Sequence, residues 1–463
     1  MPMISSVIIF NQFSEKDSQL DYYDIEEELL LLKKVITINK YIDKVLEGSY
    51  FKLPFQVEPD VERIDIEYSY AKYQLNTSEG LISSKQINII DLSLCGLKGA
   101  YIGSSGSDRC HIWVSGYGSA DGYAVTPVRE GEWSIVAGAY NVADEGVDVT
   151  YNITFTMKQR RLFKGDTHIH TLGSDGFMSV EDTARLASSM GLDYIFITDH
   201  NNYAHNERII QIEGMTVLPG TEWTHYKGHA GMLGVKKPFE GTFYTNSLEE
   251  TADKLLEAKG NGAIIILNHP FCFVCSWQWG FDSIVFDGIE AWNGVMSERN
   301  LRCISWWHKQ LQRGRKIPII GGSDFHRPGL FSSIAMPCTC LYALSREPED
   351  LMDAIRKGNC YISYLPSGPG MEVVCDGRGL GDTVLQDAEL ELRFFDLCGG
   401  DVIKLITDRD EEIIICEHKG QDVLEILLHR KFINSSFCRF EIYRSYEKGL
   451  PQMLAMLSNP VYF

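Results

Sequence analysis

The sequence predicts an α/β fold, in which a central barrel of β/α units is flanked by a β-sandwich before it and a small β domain after it. Its 463 residues exceed what one compact core usually holds, so two or three domains are expected. In the middle of the chain, short apolar runs alternate with helical patterns, which is typical of β/α units in a parallel sheet or barrel. On both sides, polar and apolar residues alternate as they do in antiparallel strands. The expected domains span residues 1–160, 161–364 and 365–463.

The first domain combines a helical pattern with strand patterns. Residues 22–47 contain good helix formers with apolar repeats, so one or two helices are expected there. From about residue 54 to 158, alternating segments are separated by clusters of Gly, Ser and Asp, which is typical of an antiparallel β-sandwich. The alternating segments include RIDIEYSY (63–70), HIWVSG (111–116), WSIVAGAY (133–140) and VTYNITFTM (149–157).

Seven apolar runs in the central domain are candidate strands. They are RLFKGDTH (161–168), DYIFITDH (193–200), TVLPGTE (216–222), AGMLGV (230–235), AIIILNH (263–269), GIEAWN (288–293) and PIIGGSDFH (318–326). Helical patterns fall between several of these runs, at about 179–190, 248–259, 298–313 and 347–357.

After about residue 365 the strand patterns return. The segments that carry them are GMEVVCDG (370–377), LELRFFD (390–396), DVIKLITD (401–408), EIIICEH (412–418) and CRFEIYRS (438–445).

Composition argues against several classes of partner and location. Acidic residues outnumber basic ones by 63 to 43, which gives a formal charge of −20. This charge argues against a long nucleic acid as a partner, because such binding depends on basic residues that displace the counterions of the phosphate backbone. No stretch approaches the roughly 18–20 consecutive apolar residues of a membrane span, and the apolar run near the N-terminus is too short for a signal peptide. The 12 scattered cysteines do not resemble a disulfide-stapled secreted domain, so a cytoplasmic protein is expected. The oligomeric state stays open, and a homo-oligomer is compatible with the sequence.

Histidines are concentrated in the central domain, which holds nine of the 12 in the chain. His168 with His170, and Asp324 with His326, have the i, i+2 spacing that puts both side chains on one face of a strand, so each pair can chelate one ion. Other potential ligands also lie at predicted strand ends, where a β/α barrel assembles its active site: His200, Glu222 and His269. Single Asp or Asn residues beside turns are often caps, but their joint occurrence with histidines favours a site for Zn, Mn or Fe.

Five ordered motifs also carry a family resemblance. DTHIHTLGSDG (166–176), ITDHN (197–201), GTEWTHYKGHAGMLG (220–234), LNHP (267–270) and GGSDFH (321–326) resemble the motifs of the polymerase and histidinol phosphatase (PHP) superfamily. The flanking β regions and the segment LSNPVYF resemble the carbaryl-hydrolase-like (CehA/McbA-type) subgroup of that superfamily. The resemblance implies a distorted seven-stranded β/α (TIM-like) barrel with two or three divalent transition metal ions (Zn, Mn or Fe) at its rim.

The same resemblance implies a set of metal ligands. The first ion would be held by His168, His170, Glu222 and Asp324. The second would be held by Glu222, His229 and His269, with Glu222 bridging the two ions. The third would be held by Asp175, His200 and His326. Some members have histidine at the position of Asp175, so the occupancy of the third site stays open here.

Such a site suits hydrolysis of a small phosphorylated molecule by a hydroxide that bridges two cations. The expected catalytic residues are Glu222, Asp324, His225 and Arg327. Arg327 would clamp a phosphate oxygen, and His225 or His205 would protonate a leaving group, although a structural role is favoured for both histidines. Asp199 is expected to orient another ligand or to cap a turn.

Alternative interpretations remain at this stage. The same metal site suits a carbamate, ester or amide hydrolase, and the flanking domains suit a non-catalytic module that binds carbohydrate or protein. A polymerase-associated or nuclease role fits the negative charge poorly. A zinc knuckle could be formed by two cysteine pairs, Cys272 with Cys275 and Cys338 with Cys340. The sequence favours loop or buried thiols over this zinc site. Four tryptophans are candidates for a pocket wall or for the core, and core is favoured for the last two: Trp277, Trp279, Trp306 and Trp307.

Overall fold

The computed structural model describes residues 33–78, 81–330, 332–417, 424–447 and 449–463. The described residues form two compact units, which divide between Gln159 and Arg160. The helices predicted over residues 22–32 and the apolar run near the N-terminus lie outside the described residues. Within the described part of the chain, no helix has the length and apolar character needed to cross a membrane.

The first unit consists of antiparallel strands. They are β1 (Lys33–Ile42), β2 (Ser49–Val57), β3 (Val61–Tyr70), β4 (Tyr73–Ser78), β5 (Leu81–Gln86), β6 (Ile89–Cys95), β7 (Tyr101–Ser105), β8 (His111–Ser115), β9 (Gly131–Asn141) and β10 (Val147–Met157). Two four-stranded sheets have the orders β1-β10-β3-β8 and β2-β9-β6-β7, and β4 pairs with β5. Buried residues of both four-stranded sheets form one hydrophobic core, so the predicted sandwich of strands is confirmed.

The helix predicted over the start of this unit is wrong from Lys33 onwards. Lys33–Ile42 forms β1 and pairs along its full length with β10, from Lys33 opposite Thr156 to Ile42 opposite Val147. The β-branched run from Val35 to Ile38 favours a strand, and the neighbouring strand supplies partners for its backbone. A short 3₁₀ helix, Lys44–Leu46, follows.

The second unit begins with the β/α region. Its strands are β11 (Arg161–Asp166), β12 (Tyr194–Ile197), β13 (Thr216–His225), β14 (Gly228–Leu233), β15 (Ile264–Asn268), β16 (Gly288–Asn293) and β17 (Ile319–Gly322). Each of the seven predicted apolar runs overlaps one of them. The helices are α1 (Val180–Ser189), α2 (Leu248–Gly260), α3 (Glu298–Gln312) and α4 (Pro348–Lys357), as predicted. Ser179 and Ser247 cap the first two by accepting hydrogen bonds from backbone N–H groups in the first turn.

These seven strands are neighbours in chain order within one sheet, but they are not all parallel. β14 runs antiparallel to both β13 and β15, whereas the other neighbouring pairs are parallel. Only two residues join β13 to β14, which is too short for a parallel crossover. Beyond the ends of β11 and β17, Ile169 and Phe325 form a parallel bridge, so the first and last strands of the series lead to adjacent backbone segments.

The remaining strands extend this architecture. They are β18 (Cys338–Ala343), β19 (Cys360–Ser363), β20 (Gly370–Val374), β21 (Leu390–Leu397), β22 (Val402–Thr407), β23 (Glu411–Ile415), β24 (Leu424–Arg430), β25 (Phe437–Arg444), β26 (Met453–Ser458) and β27 (Val461–Tyr462). β18 pairs with β11, and the sheet continues through β19, β26, β25, β22 and β23, while β20, β21 and β24 form a separate sheet.

The predicted C-terminal strands are confirmed, and they share both a sheet and a core with the β/α region. One hydrophobic cluster contains Ile195 and Phe325 together with Leu392 and Phe440. The boundary expected near residue 364 therefore falls inside one compact unit, and the division of that unit into two domains stays a prediction. The second unit is a mixed α/β structure with a large sheet and few helices.

Candidate metal centre

Two buried histidines follow the end of β11 and meet at their ring nitrogens. The Nε2 atoms of His168 and His170 lie 3.1 Å apart. The Nδ1 of His168 lies 2.9 Å from the Glu290 carboxylate, an acceptor that can hold the Nδ1–H and leave Nε2 as the atom that would bind a metal. This ring orientation is the one in which a histidine binds a metal while a carboxylate holds its other nitrogen.

The carboxylate of Glu222, on β13, lies fully buried among five imidazoles, the most distant being that of His170, whose Nε2 is 3.7 Å from Oε2. Its Oε1 is 3.2 Å from His229 Nδ1, 3.3 Å from His269 Nε2 and 3.4 Å from His168 Nε2. Its Oε2 is 2.8 Å from His200 Nδ1. One carboxylate therefore faces side chains from each of the three expected ion sites.

Asp324, just after β17, faces the two histidines that follow β11. Its Oδ1 is 3.2 Å from His170 Nε2 and 3.5 Å from His168 Nε2. Asp324 has a φ of 53° and His269 a φ of 30°, values in the left-handed region that residues other than glycine rarely adopt. Backbone strain of this kind is concentrated at functional sites, where it aims a side chain.

A third group lies at the exposed side of the cluster. Asp175 Oδ1 is 3.3 Å from His326 Nε2 and 3.6 Å from His200 Nε2. The Nδ1–H of His326 donates to the backbone oxygen of Asp324 at 2.8 Å, which leaves its Nε2 lone pair facing Asp175.

Asp199 holds the turn that precedes Asp175. Its carboxylate accepts hydrogen bonds from the backbone N–H of Thr171 at 2.7 Å and from the hydroxyls of Thr171 and Ser174 at 2.6 Å each. The prediction that Asp199 caps a turn is therefore confirmed.

Opposite charges control the ionisation of the buried groups. Burial alone would raise the pKa values of Glu222 and Asp324, but the adjacent histidines outweigh it and hold both well below their ordinary range. Burial would lower the pKa of His168, but Asp324, Glu290 and Glu222 raise it well above its ordinary value. Burial lowers the pKa of His170, helped by the charge of His168 and opposed by Asp324. His170 is therefore in the neutral form that binds metals.

The donor set fits divalent transition metals. Four overlapping groups of side chains bring their ligand atoms within 4.8 Å of one another: His168, His170 and Glu222; His168, His269 and Asp324; His170, Asp175, His200 and His326; and His229, His269 and Cys275. These groups include all nine side chains expected as ligands. Imidazole nitrogens combined with carboxylate oxygens suit Zn, Mn or Fe better than Ca or Mg.

A cavity of about 130 Å³ opens onto this cluster. Its wall includes Arg299, Cys272 and Cys275. It also includes six of the nine expected ligands: His200, Glu222, His229, His269, Asp324 and His326. Partial burial would raise the pKa of the Cys272 thiol, but hydrogen bonds from the backbone of Cys275 and Val274 outweigh this and lower it to about 7. The cavity therefore combines the potential metal ligands with an arginine and two thiols.

Sequence reasoning missed two residues of the site. Glu290 accepts hydrogen bonds from His168 and from the backbone N–H of His269 at 2.8 Å. A glutamate inside the apolar run GIEAWN was the available signal, because carboxylates are rarely buried without partners. Arg299 lies in the first turn of α3, where the sequence pattern carries no comparable signal.

Three of the residues considered for proton transfer or phosphate binding lie outside the cavity wall. The buried His205 ring donates to the Gly220 backbone oxygen at 2.9 Å, which fits its favoured structural role. His225 stacks on Trp223 with ring centroids 5.5 Å apart, and partial burial lowers its pKa. Arg327 is exposed. The catalytic roles of His225 and Arg327 stay predictions.

The thiols and tryptophans occupy different places. Cys338 and Cys340 are buried in β18, and among the described residues no group of converging ligand atoms includes either one, so the zinc knuckle does not form. Four tryptophans belong to one hydrophobic core or pack against it, which confirms the prediction of core for the last two: Trp277, Trp279, Trp306 and Trp307.

Comparison with known proteins finds remote likenesses among solved structures. No family model matches the sequence, and no curated protein matches it. A two-domain protein from Bacteroides vulgatus containing a predicted PHP-like metal-dependent phosphoesterase is 15% identical, with a TM-score of 0.37 over 65% of this chain and 96% of that one. A protein from Bifidobacterium adolescentis described as a metal-dependent phosphoesterase is 18% identical, with a TM-score of 0.26 over 37% and 90%.

A third solved structure is an amidohydrolase from Chromobacterium violaceum with bound sulfate and no metal. It is 17% identical, with a TM-score of 0.26 over 36% of this chain and 89% of that one. At TM-scores below 0.5, these likenesses do not identify the family or the activity of this chain.

Proposed function

We propose that this chain is a metal-dependent hydrolase of the PHP type that cleaves the phosphoester of a small molecule. The observation that carries the proposal is the convergence of nine potential ligands, from seven separate places in the sequence, into overlapping groups with ligand atoms within 4.8 Å. Buried imidazoles and carboxylates at this density need shared cations or protons to offset their desolvation. A binding module or scaffold has no need of such a cluster beside an open cavity.

The proposal includes the barrel that the resemblance implies. Strands β11 to β17 follow one another in the sheet, and the bridge between Ile169 and Phe325 brings the segments after β11 and β17 together. His168, His200 and Asp324 all follow the carboxyl ends of strands, which is where a β/α barrel carries its active site. These features support a distorted seven-stranded barrel, and membership of the carbaryl-hydrolase-like subgroup stays a prediction.

The ligand assignment follows the three groups of side chains. His168, His170 and Asp324 would hold a first cation, His229 and His269 a second, and Glu222 would bridge them. Asp175, His200 and His326 would hold a third. When bound, such cations lower the pKa of water and neutralise charge on a phosphoryl group.

Arg299 supports an anionic substrate. Its guanidinium lines the cavity and is held by a hydrogen bond of 3.1 Å to the Asn293 side-chain oxygen. A guanidinium matches the paired oxygens of a phosphate, and a neutral carbamate, ester or amide lacks that group. We therefore place phosphoester hydrolysis ahead of those reactions, with Arg299 in the role that the sequence suggested for Arg327.

The test is hydrolysis by the full chain loaded with Zn, Mn or Fe. Phosphomonoesters and cyclic phosphates should be turned over, and His168→Ala should reduce turnover to background. His429→Ala provides the matched control, because His429 is exposed on β24 and should leave activity unchanged. Aryl carbamates and aryl esters are assayed in parallel. Wild-type phosphoester turnover no higher than that of His168→Ala would end the proposal, and turnover of a carbamate or ester alone would favour the alternative chemistry.

A further inference from the structure

Building on the proposed metal site, we propose that Cys275 is a sulfur ligand of the cation that His229 and His269 hold. The PHP resemblance supplies only nitrogen and oxygen ligands for that cation, so the thiol is a feature of this chain. One cation in the cluster would then be bound by a thiolate, while its neighbours are bound by imidazoles and carboxylates.

The first support is the position of the thiol. Cys275, His229 and His269 form one of the groups whose ligand atoms lie within 4.8 Å of one another. The Cys275 Sγ is 3.6 Å from His269 Nδ1, and all three side chains line the cavity. A cation that enters the cavity therefore meets a sulfur atom beside the two histidines.

The second support is the rigidity of the loop that carries the thiol. The backbone N–H of Cys272 donates to the His269 oxygen at 2.9 Å, and that of Trp277 donates to the Pro270 oxygen at 2.9 Å. The Trp277 ring is buried in the core two residues after Cys275. Ligands held by packed neighbours lose little conformational entropy when they bind a metal.

Sulfur ligation has chemical consequences. Binding of the cation would release the Cys275 thiol proton to solvent, leaving a thiolate that adds one negative charge to the group. Thiolates favour Zn over Mn, whereas carboxylates accept Mn readily. The position held by His229, His269 and Cys275 should therefore select zinc more strongly than the position held by His168, His170 and Asp324.

Cys272 supplies a matched control. It belongs to the same loop and lines the same cavity, but its Sγ lies 3.9 Å from the Arg299 guanidinium and takes no part in the groups of converging ligand atoms. Cys272→Ser and Cys275→Ser therefore make the same chemical change at neighbouring places, and only the second removes the proposed ligand.

The experiment loads the full chain with cobalt(II) and records its absorption spectrum. We expect a near-ultraviolet thiolate-to-cobalt charge-transfer band in the wild type and in Cys272→Ser, and no such band in Cys275→Ser. Circular dichroism checks that both variants are folded. In competition between zinc and manganese, we expect Cys275→Ser to lose zinc preference by about tenfold or more, and Cys272→Ser to retain it.

Two spectra would overturn sulfur ligation. A wild type that binds cobalt without the band would leave Cys275 only as a hydrogen-bond acceptor for His269, and a band that persists in Cys275→Ser would assign the sulfur to another residue. In either case, phosphoester turnover by the wild type would show that the proposed function stands without sulfur ligation. A wild type that binds no cobalt, zinc or manganese would overturn both proposals.

Discussion

Glu290 shows how one buried side chain orders several residues of the site. Its carboxylate accepts hydrogen bonds from the His168 ring, from the His269 backbone and, at 3.1 Å, from the Asn293 amide. Asn293 also donates to Asp324 and accepts from Arg299. Through these contacts one glutamate links two expected metal ligands to the arginine of the cavity wall.

Replacing Arg299 with Met tests the phosphate role of that arginine. Loss of a charge-assisted hydrogen-bond pair of about 2 kcal/mol predicts that KM for a phosphomonoester rises by roughly 30-fold. Steady-state kinetics measure the change. Arg313→Met is the control, because Arg313 is exposed at the other end of α3. An unchanged KM in Arg299→Met would remove Arg299 from substrate binding.

Among the elements, β25 carries a buried ion pair within the strand, and the arginine of that pair also contacts α3. Arg439 donates to the Glu441 carboxylate at 2.5 Å, and Arg439 Nε lies 3.2 Å from His308 on α3. Burial alone would raise the pKa of Glu441, but Arg439 outweighs it and lowers that pKa. Ionised Glu441 therefore stabilises the fold above about pH 4.3, the ordinary pKa of glutamate, and this contribution is lost as the pH falls through the lower folded-state pKa.

Glu441→Gln leaves Arg439 buried without its counter-charge, so we expect the free energy of unfolding at pH 7 to fall by about 3 kcal/mol. The loss should shrink below about pH 4, where protonation removes the same charge from the wild type. Urea unfolding at pH 7 and again below about pH 4 measures the change in the free energy of unfolding. In the control, Glu425→Gln breaks an exposed pair with Arg393 and should cost less than about 1 kcal/mol. An equal loss from Glu441→Gln at both pH values would contradict the assignment.

At the scale of the whole molecule, the expected ligands all belong to the unit that begins at Arg160. A ligand that binds only the folded state stabilises it by about 2.7 kcal/mol per site at a hundredfold excess over its Kd. Chelation should therefore lower the Tm of that unit by about 5 °C or more. The unit of residues 33–159 should keep its Tm.

Differential scanning calorimetry of the metal-loaded and chelated chain follows both transitions. We expect chelation to leave the transition of residues 33–159 unchanged and to lower the Tm of the transition of the unit that begins at Arg160. If neither transition responds to a chelator, or if both shift equally, metal binding is not confined to the second unit as proposed.

Local sequence was sufficient for most of the elements that carry the site. The seven strands from β11 to β17 and the four helices lie where apolar periodicity and capping residues predict them, since those signals act over a few neighbouring residues. The i, i+2 spacing of His168 and His170 likewise predicted that their rings meet, because a strand alternates its side chains between two faces.

Long-range contacts settled the rest, because pairing partners and buried neighbours lie far apart in the chain. Lys33–Ile42 became a strand beside β10, and the strands after residue 365 joined the sheet of the β/α region. Arg299 rather than Arg327 reached the cavity wall, and Glu290 came to lie beside His168. Backbone hydrogen bonds between distant strands and the burial of charges beside opposite charges produced these results, and neither is encoded in a local pattern.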